Sequence, residues 1–202
     1  MSFDVLIVRT GTANIASISA AFKRLGANIT LGGSKEDIER AERIVLPGVG
    51  AFAAAMQKLS VSGVASALKE YISEGKPLLA ICLGLQLLCE SSEESPNVKG
   101  LSVIKSEVTK FNEGVRIPQL GWNSILVESD CAYLKPGCAY FANSYRLEKA
   151  PDGWRAAYSV YGGKFVAALE RGNILACQFH PELSGNYGLD LIRRWLADGG
   201  KE

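Results

Sequence analysis

The chain has 202 residues, of which 48% are hydrophobic and 21% charged, and its formal net charge is +1. That length can bury one substantial core, and the balance is that of an ordinary globular chain, which excludes a disordered or fibrous protein. With Lys and Arg scattered and never clustered in a run, neither nucleic acid nor an anionic membrane surface is an expected partner.

MSFDVLIVRTG (1 to 11) holds a short apolar run without a basic leader, too short for a secretory segment or a membrane span, and reads as the first core strand. After TGTAN, the residues Ile15, Ile18, Phe22 and Leu25 are spaced for one face of a helix that Gly26 can end. RIVLPGVG (43 to 50) is a second apolar run, followed by helical spacing through Val64, Leu68, Tyr71 and Ile72 until EGKP stops it. LLAI (78 to 81) is a third, and the helix after it reads as continuing through Cys89. Short buried strands alternating with helices predict an α/β fold with a parallel sheet.

The second half changes character. LSVIKSEV, NSILVE, CAYFANSY, RAAYSVYGGKFVAALE and NILACQF read as strands between turn residues, with Gly162 and Gly163 marking a hairpin. A last helix carries Leu189, Ile192, Trp195 and Leu196 on one face. No repeat or linker interrupts the chain, so one domain over 1–202 is expected: a mostly parallel sheet extended or flanked by antiparallel strands, in an order the pattern leaves open.

Five cysteines, an odd number without a CxxC pair, argue against a disulfide framework and a structural zinc site, and fit a cytoplasmic protein with no metal or organic cofactor. Cys82 stands apart. It falls between the LLAI strand and the following helix, flanked by Ala80 and Gly84, the small-x-nucleophile-x-small spacing of a strained strand-to-helix elbow. A thiol there feels the positive end of a helix dipole, and the N–H of Leu83 is available to a developing oxyanion. A buried cysteine filling core space is the plainer alternative. Cys89 and Cys177 read as core, and Cys131 and Cys138 flank a turn-rich segment with too few nitrogen partners for a metal.

A catalytic thiol needs a base, and the chain has one histidine, His180, followed at the second position by Glu182 in CQFHPELSG. The Pro between them restricts the backbone so that the carboxylate can hold the far ring nitrogen, and strand ends of an open α/β sheet share one crevice. Taken alone, the segment is better served by a strand-capping histidine beside a solvated carboxylate; together with Cys82 the balance turns to a triad. PGVG (47 to 50) can add a second oxyanion donor, from the N–H of Val49 or Gly50, though a plain turn is the alternative.

LPGVGAF, ICLGLQLL, SEES, GWNS and CQFHPE, in that order and at this length, resemble the class I glutamine amidotransferases and, more narrowly, the glutaminase subunits of imidazole glycerol phosphate synthases of histidine biosynthesis. The resemblance covers essentially the whole chain. It implies a flavodoxin-like, three-layer α/β/α sandwich, glutamine as substrate, and a (β/α)8-barrel cyclase subunit as heterodimer partner that receives ammonia through a sequestered channel. It implies that Cys82 attacks the side-chain amide, His180 shuttles protons and Glu182 orients it. By position in the matching motifs, Gly50, Gln86, Glu94, Ser144 and Tyr145 would bind the amino-acid moiety. Asn14, Gln119, Trp122 and Asn123 would face the partner, and Val49 would belong to an oxyanion strand that reorients when the partner is loaded.

Some positions depart from the family's usual pattern: Gln119 and Asn143 stand where histidine is usual, Leu183 where Lys or Arg is usual, Ala80 where glycine is, and Arg9 where an acidic residue is. An amide can donate and accept hydrogen bonds but carries no proton in acid catalysis, so altered coupling to the partner is expected before lost chemistry. Competing readings are a glutaminase serving another ammonia-dependent synthase, a free-standing cysteine hydrolase, and a silent α/β binding module. Gln86 and the NSY segment, suited to an α-amino acid, favour the amidotransferase over a general hydrolase.

Overall fold

The computed structural model describes residues 3–11, 13–128 and 130–198, with residue 198 described by its backbone alone. Its frame is a nine-stranded sheet. Strands β1 (Phe3–Val8), β2 (Ala27–Gly32), β3 (Arg43–Leu46), β4 (Leu78–Ile81) and β12 (Ile174–Cys177) run parallel in the order β2-β1-β3-β4-β12. From β12 the sheet continues antiparallel through β11 (Lys164–Arg171), β10 (Arg155–Val160), β7 (Gln119–Val127) and the edge strand β8 (Gly137–Asn143). The parallel half with an antiparallel extension is what the alternating and then strand-only halves of the sequence predict. The order supplies what the pattern left open. A smaller sheet joins β5 (Cys89–Ser92), β6 (Ile104–Lys110) and β9 (Tyr145–Arg146).

Period-two alternation sends neighbouring residues of each strand into different layers. Val5 and Ile7 of β1 join a cluster with Ile18 and Phe22 of α1 (Ile15–Arg24) and Leu191, Ile192, Trp195 and Leu196 of α6 (Gly185–Asp198). Leu6 and Val8 join the opposite cluster, built with Ile38 of α2 (Lys35–Arg40), Phe52 and Leu59 of α3 (Phe52–Val61), and Leu68 and Tyr71 of α4 (Val64–Ser73). The result is helix, sheet, helix. Local chemistry sets the helix ends: Asn14 Oδ1 accepts from Ser17 N at 3.2 Å to start α1, a Ser34–Asp37 capping box starts α2, and Gly63, left-handed at φ 73°, separates α3 from α4.

One expectation fails. The helix after Cys82, α5, spans only Leu83–Leu87, and Cys89 opens β5 instead of continuing it. The cause is competition for carbonyls: Leu101 N–H donates to Leu87 O at 2.8 Å, Val103 and Ile104 N–H to Leu88 O at 2.9 Å, and Ser102 N–H to Cys89 O at 3.1 Å. A crossing segment takes the acceptors that further helical turns need. Gly100 permits the approach, since a Cβ there would lie 2.1 Å from Cys89 O.

Candidate active site

Cys82 sits at φ 53° and ψ −108°, outside the regions that residues with a side chain normally occupy. Such strain costs about 1–3 kcal/mol and persists where the surroundings over-determine it. Here they do. Cys82 N–H donates to Cys177 O at 2.7 Å, β4 is paired on both sides, and Gly84 lets α5 press onto β3, a Cβ at that position falling 1.9 Å from Leu46 O. The thiol is aimed beyond the carboxyl end of β4. Its Sγ lies 3.9 Å from Ala142 O, and Gln178 Nε2 donates to it at 3.7 Å.

His180 follows β12, the neighbour of β4, which brings base and nucleophile to one sheet edge. Its backbone is clamped: His180 N–H donates to Tyr140 O at 2.9 Å, and Ser184 Oγ donates to His180 O at 2.6 Å while accepting Tyr140 N–H at 2.9 Å. Pro181 starts a short 3-10 turn over Pro181–Leu183 that swings Glu182 back, so that Glu182 Oε1 meets His180 Nδ1 at 2.9 Å. The Glu182 side chain is 1% exposed, and its Oε2 has no hydrogen-bond partner among the described residues, which directs the carboxylate at the ring. Burial works against charge on the imidazole, yet hydrogen bonds and charges from Cys82 and Glu182 outweigh it and raise the His180 pKa from 6.5 to about 10. The ring is thereby held as imidazolium beside the sulfur. By contrast, burial pushes the Cys89 and Cys177 thiols up, leaving them neutral packing groups.

Cys82, Leu83 and His180 open onto a cleft of about 290 Å³ whose walls also include Val49 and Gly50 of the segment after β3. Gln86, Glu94, Ser144 and Tyr145 line it too, so every residue expected to touch an amino acid shares one cavity with the expected nucleophile and base. Ala142 and Asn143 complete it. Gln86 donates through Nε2 both to Gln178 Oε1 at 3.0 Å and to Tyr145 O at 3.3 Å, which leaves its oxygen as the group to meet a ligand. Partial burial, with Glu94 and Glu93 nearby, raises the Tyr145 pKa, so its hydroxyl stays a neutral donor.

Three contributors were not singled out in the sequence. Gln178, fully buried, ties Gln86 to Cys82; its signal was the two-residue spacing to His180, which gives both one face. Ala142 acts through its carbonyl and Ser184 through a hydroxyl bridging two chain segments, and neither has a pattern that marks it.

The residues expected at a partner surface divide. Trp122 is 58% exposed on β7 beside Leu120, at 61%, and its ring meets Tyr140 edge-on at 6.2 Å. Gln119 is only 3% exposed, which corrects the expectation that it faces a partner: the continuous β7–β8 register puts it on the inner face, opposite Asn143. Asn123 shares that inner face, and its amide is engaged with Val160 O at 2.9 Å and Ser124 N at 2.8 Å. Asn14 caps α1.

The profile of the family "Glutamine amidotransferase class-I" matches residues 6–197. The chain is 40% identical over 195 residues to the imidazole glycerol phosphate synthase subunit HisH of Methanothermobacter thermautotrophicus, covering 95% of this chain and 97% of that protein. It is 43% identical over 199 residues to the chloroplastic imidazole glycerol phosphate synthase hisHF of Arabidopsis thaliana, covering 95% of this chain but spanning only 34% of that longer protein. Its fold is similar to a crystal structure of glutamine amidotransferase, with a TM-score of 0.80 at 22% identity over 98% of this chain and 99% of that one. The structure of PurLQS from Thermotoga maritima gives 0.77 at 18% identity over the same shares.

Proposed function

The chain belongs to the class-I glutamine amidotransferases, in the branch of the imidazole glycerol phosphate synthase HisH subunits, and from that premise we propose how its residues do the work. It is the glutaminase subunit that hydrolyses glutamine to glutamate and passes ammonia to a (β/α)8-barrel cyclase in histidine biosynthesis. One observation carries the assignment of residues: a strained Cys82 and a charged, Glu182-bound His180 open onto one cleft lined by groups suited to an amino acid.

Glutamine lies with its amino-acid end toward Gly50, Gln86, Glu94, Ser144 and Tyr145, where carboxylate and carbonyl oxygens meet its ammonium and hydroxyl and amide N–H groups its carboxylate. The Cys82 sulfur adds to the side-chain amide carbon. Negative charge on the amide oxygen is taken by the N–H of Leu83 and by one from Val49 or Gly50. His180 gives its proton to the nitrogen, the C–N bond breaks, and ammonia leaves a thioester on Cys82. Once acylated, the sulfur no longer raises the affinity of His180 for a proton, so the ring turns from acid to base. It takes a proton from water, the resulting hydroxide displaces the sulfur, and glutamate departs with the starting ion pair restored.

Trp122 and Leu120 form an exposed apolar patch suited to a barrel rim, with Gln119 and Asn123 behind it, and Asn14, at the start of α1, is assigned to the partner face by the family resemblance alone. Tyr140 stands between Trp122 and the base, its ring against the Trp and its carbonyl on His180 N–H, so a partner docked there presses on the catalytic geometry. Among the described residues no helix is long and apolar enough to cross a membrane. Five unbridged thiols support a reducing cytoplasm, and two core clusters on one shared sheet support a single domain over 1–202.

The test is glutamate release from glutamine by the purified chain, with and without a barrel cyclase and its ribonucleotide ligand, with Cys82→Ala as control. Strong stimulation that vanishes in the variant is expected. Full hydrolysis without a partner refutes the coupling, and none under any condition refutes the glutaminase reading.

A further inference from the structure

Helix α3 has no cap of its own. Its N-cap residue is Ala51, which has no side-chain acceptor, yet Phe52 N–H is one of the donors a helix start leaves orphaned, and Phe52 is fully buried. The acceptor comes from elsewhere in the chain: Glu94, on the segment after β5, takes Phe52 N–H on Oε2 at 2.8 Å. Glu94 is itself set in place, its N–H donating to Ser92 Oγ at 3.3 Å. The stretch that connects β3 to α3 is thus fixed at two points. At one, Gly48 lies flat against Leu83, where a Cβ would come within 3.0 Å of the Leu83 Cβ. At the other, Glu94 holds Phe52. Between them lie Val49 and Gly50, the latter at φ 97°, both on the wall of the cleft that Glu94 also lines.

We propose that Glu94 is a positioning residue for the oxyanion segment in addition to being a receptor for the substrate's ammonium. This inference rests on the glutaminase reading above. A carboxylate has two oxygens with about four acceptor sites, so one that holds a backbone N–H retains capacity for a second donor. The two roles share one rigid group. An ammonium that draws the carboxylate toward the cleft moves the cap of α3, and with it the aim of the N–H groups at Val49 and Gly50. An empty cleft leaves the segment in its resting place. Occupancy of the amino-acid end is in this way reported to the reacting end through one side chain.

The roles separate experimentally because only one of them needs charge. Glu94→Gln keeps an oxygen that can accept Phe52 N–H but loses the charge; Glu94→Ala loses both. Glutaramate, which is glutamine without its α-amino group, makes no demand on the ammonium receptor. In the complex with cyclase and ribonucleotide, both variants are expected to raise KM for glutamine. With glutaramate, Glu94→Ala is expected to fall about fivefold or more in kcat below Glu94→Gln, the scale of a lost helix cap. Amide hydrogen exchange at residues 49 to 52, measured on the chain without substrate, is expected to quicken in Glu94→Ala and to stay unchanged in Glu94→Gln. Unchanged exchange in Glu94→Ala overturns the proposal, and so does full turnover of glutaramate by that variant. Should the unaltered chain release no glutamate from glutamine, the glutaminase reading fails, while the exchange measurement still decides whether Glu94 pins the segment.

Discussion

Gly84→Ala places one methyl group where the elbow has no room. The added Cβ would stand 1.9 Å from the carbonyl oxygen of Leu46, against the 3.0 Å below which Cβ contacts are essentially never seen. Leu46 cannot yield: it is backbone at the end of β3, registered with Ala80 across β4. The movement therefore falls on α5, by about 1 Å, and carries with it the Cys82 sulfur and the Leu83 N–H. A shift of about 1 Å at reacting groups costs on the order of 100-fold in rate. Forcing a methylene into a filled core costs about 1–3 kcal/mol, and each kcal/mol lowers Tm by about 2–4 °C in a chain of this size. The assay is glutamate release in the cyclase complex beside thermal unfolding of the isolated chain. Gly33→Ala serves as the control, since a Cβ there meets only an ordinary contact of 3.5 Å with Arg9 Cβ. If Gly84→Ala keeps its kcat/KM within about twofold and its Tm within about a degree of the unaltered chain, this account of the elbow is wrong.

The single histidine makes proton binding at the base readable without assignment. Nitrogen-detected NMR is expected to show His180 charged through neutral pH and titrating near 10, and to show its pKa lowered in Cys82→Ser, where the sulfur's hydrogen bond and charge are gone. Titration of the unaltered chain near 6.5 refutes the ion pair. The same shift has a consequence for stability: folded His180 holds its proton up to about 10 and the unfolded side chain only to about 6.5, so the pair's contribution is fully present below about 6.5 and is lost as pH rises through 10. Denaturant unfolding at several pH values should follow that direction in the unaltered chain more steeply than in Cys82→Ser. Gln178→Leu removes the acceptor that fixes the Gln86 amide and the donor to Cys82, so KM for glutamine should rise and kcat fall by about tenfold, the scale of a buried hydrogen bond. Unaltered values of both constants would show that Gln178 only packs.

What was legible in the sequence is what local rules decide. Alternating apolar runs and helical spacing gave the parallel half, because each strand and helix buries its own periodic face. Small residues around Cys82 and the H-P-E spacing marked the nucleophile and base because strain and reach act over a few residues. The early end of α5 was not legible, since residues 100–104 take its carbonyls from across the fold. Nor was the burial of Gln119, because strand alternation tells which residues share a face and only the packing tells which face is inside. The bond from Glu94 to Phe52 spans 42 positions and is carried by a carboxylate that any surface segment could hold.

Strand β8 closes the sheet, and an edge strand ordinarily offers a row of unpaired backbone groups on which a second chain can build. Here that row is occupied by the reaction centre: Tyr140 N–H and C=O are taken by Ser184 and His180, and the Ala142 carbonyl faces the Cys82 sulfur. The turn that carries the base thus also covers this edge of the sheet. Cover of the β8 edge and alignment of nucleophile with base are therefore one property of this turn, and a change that loosens the chain after His180 bares backbone groups of β8 as it disarms the enzyme.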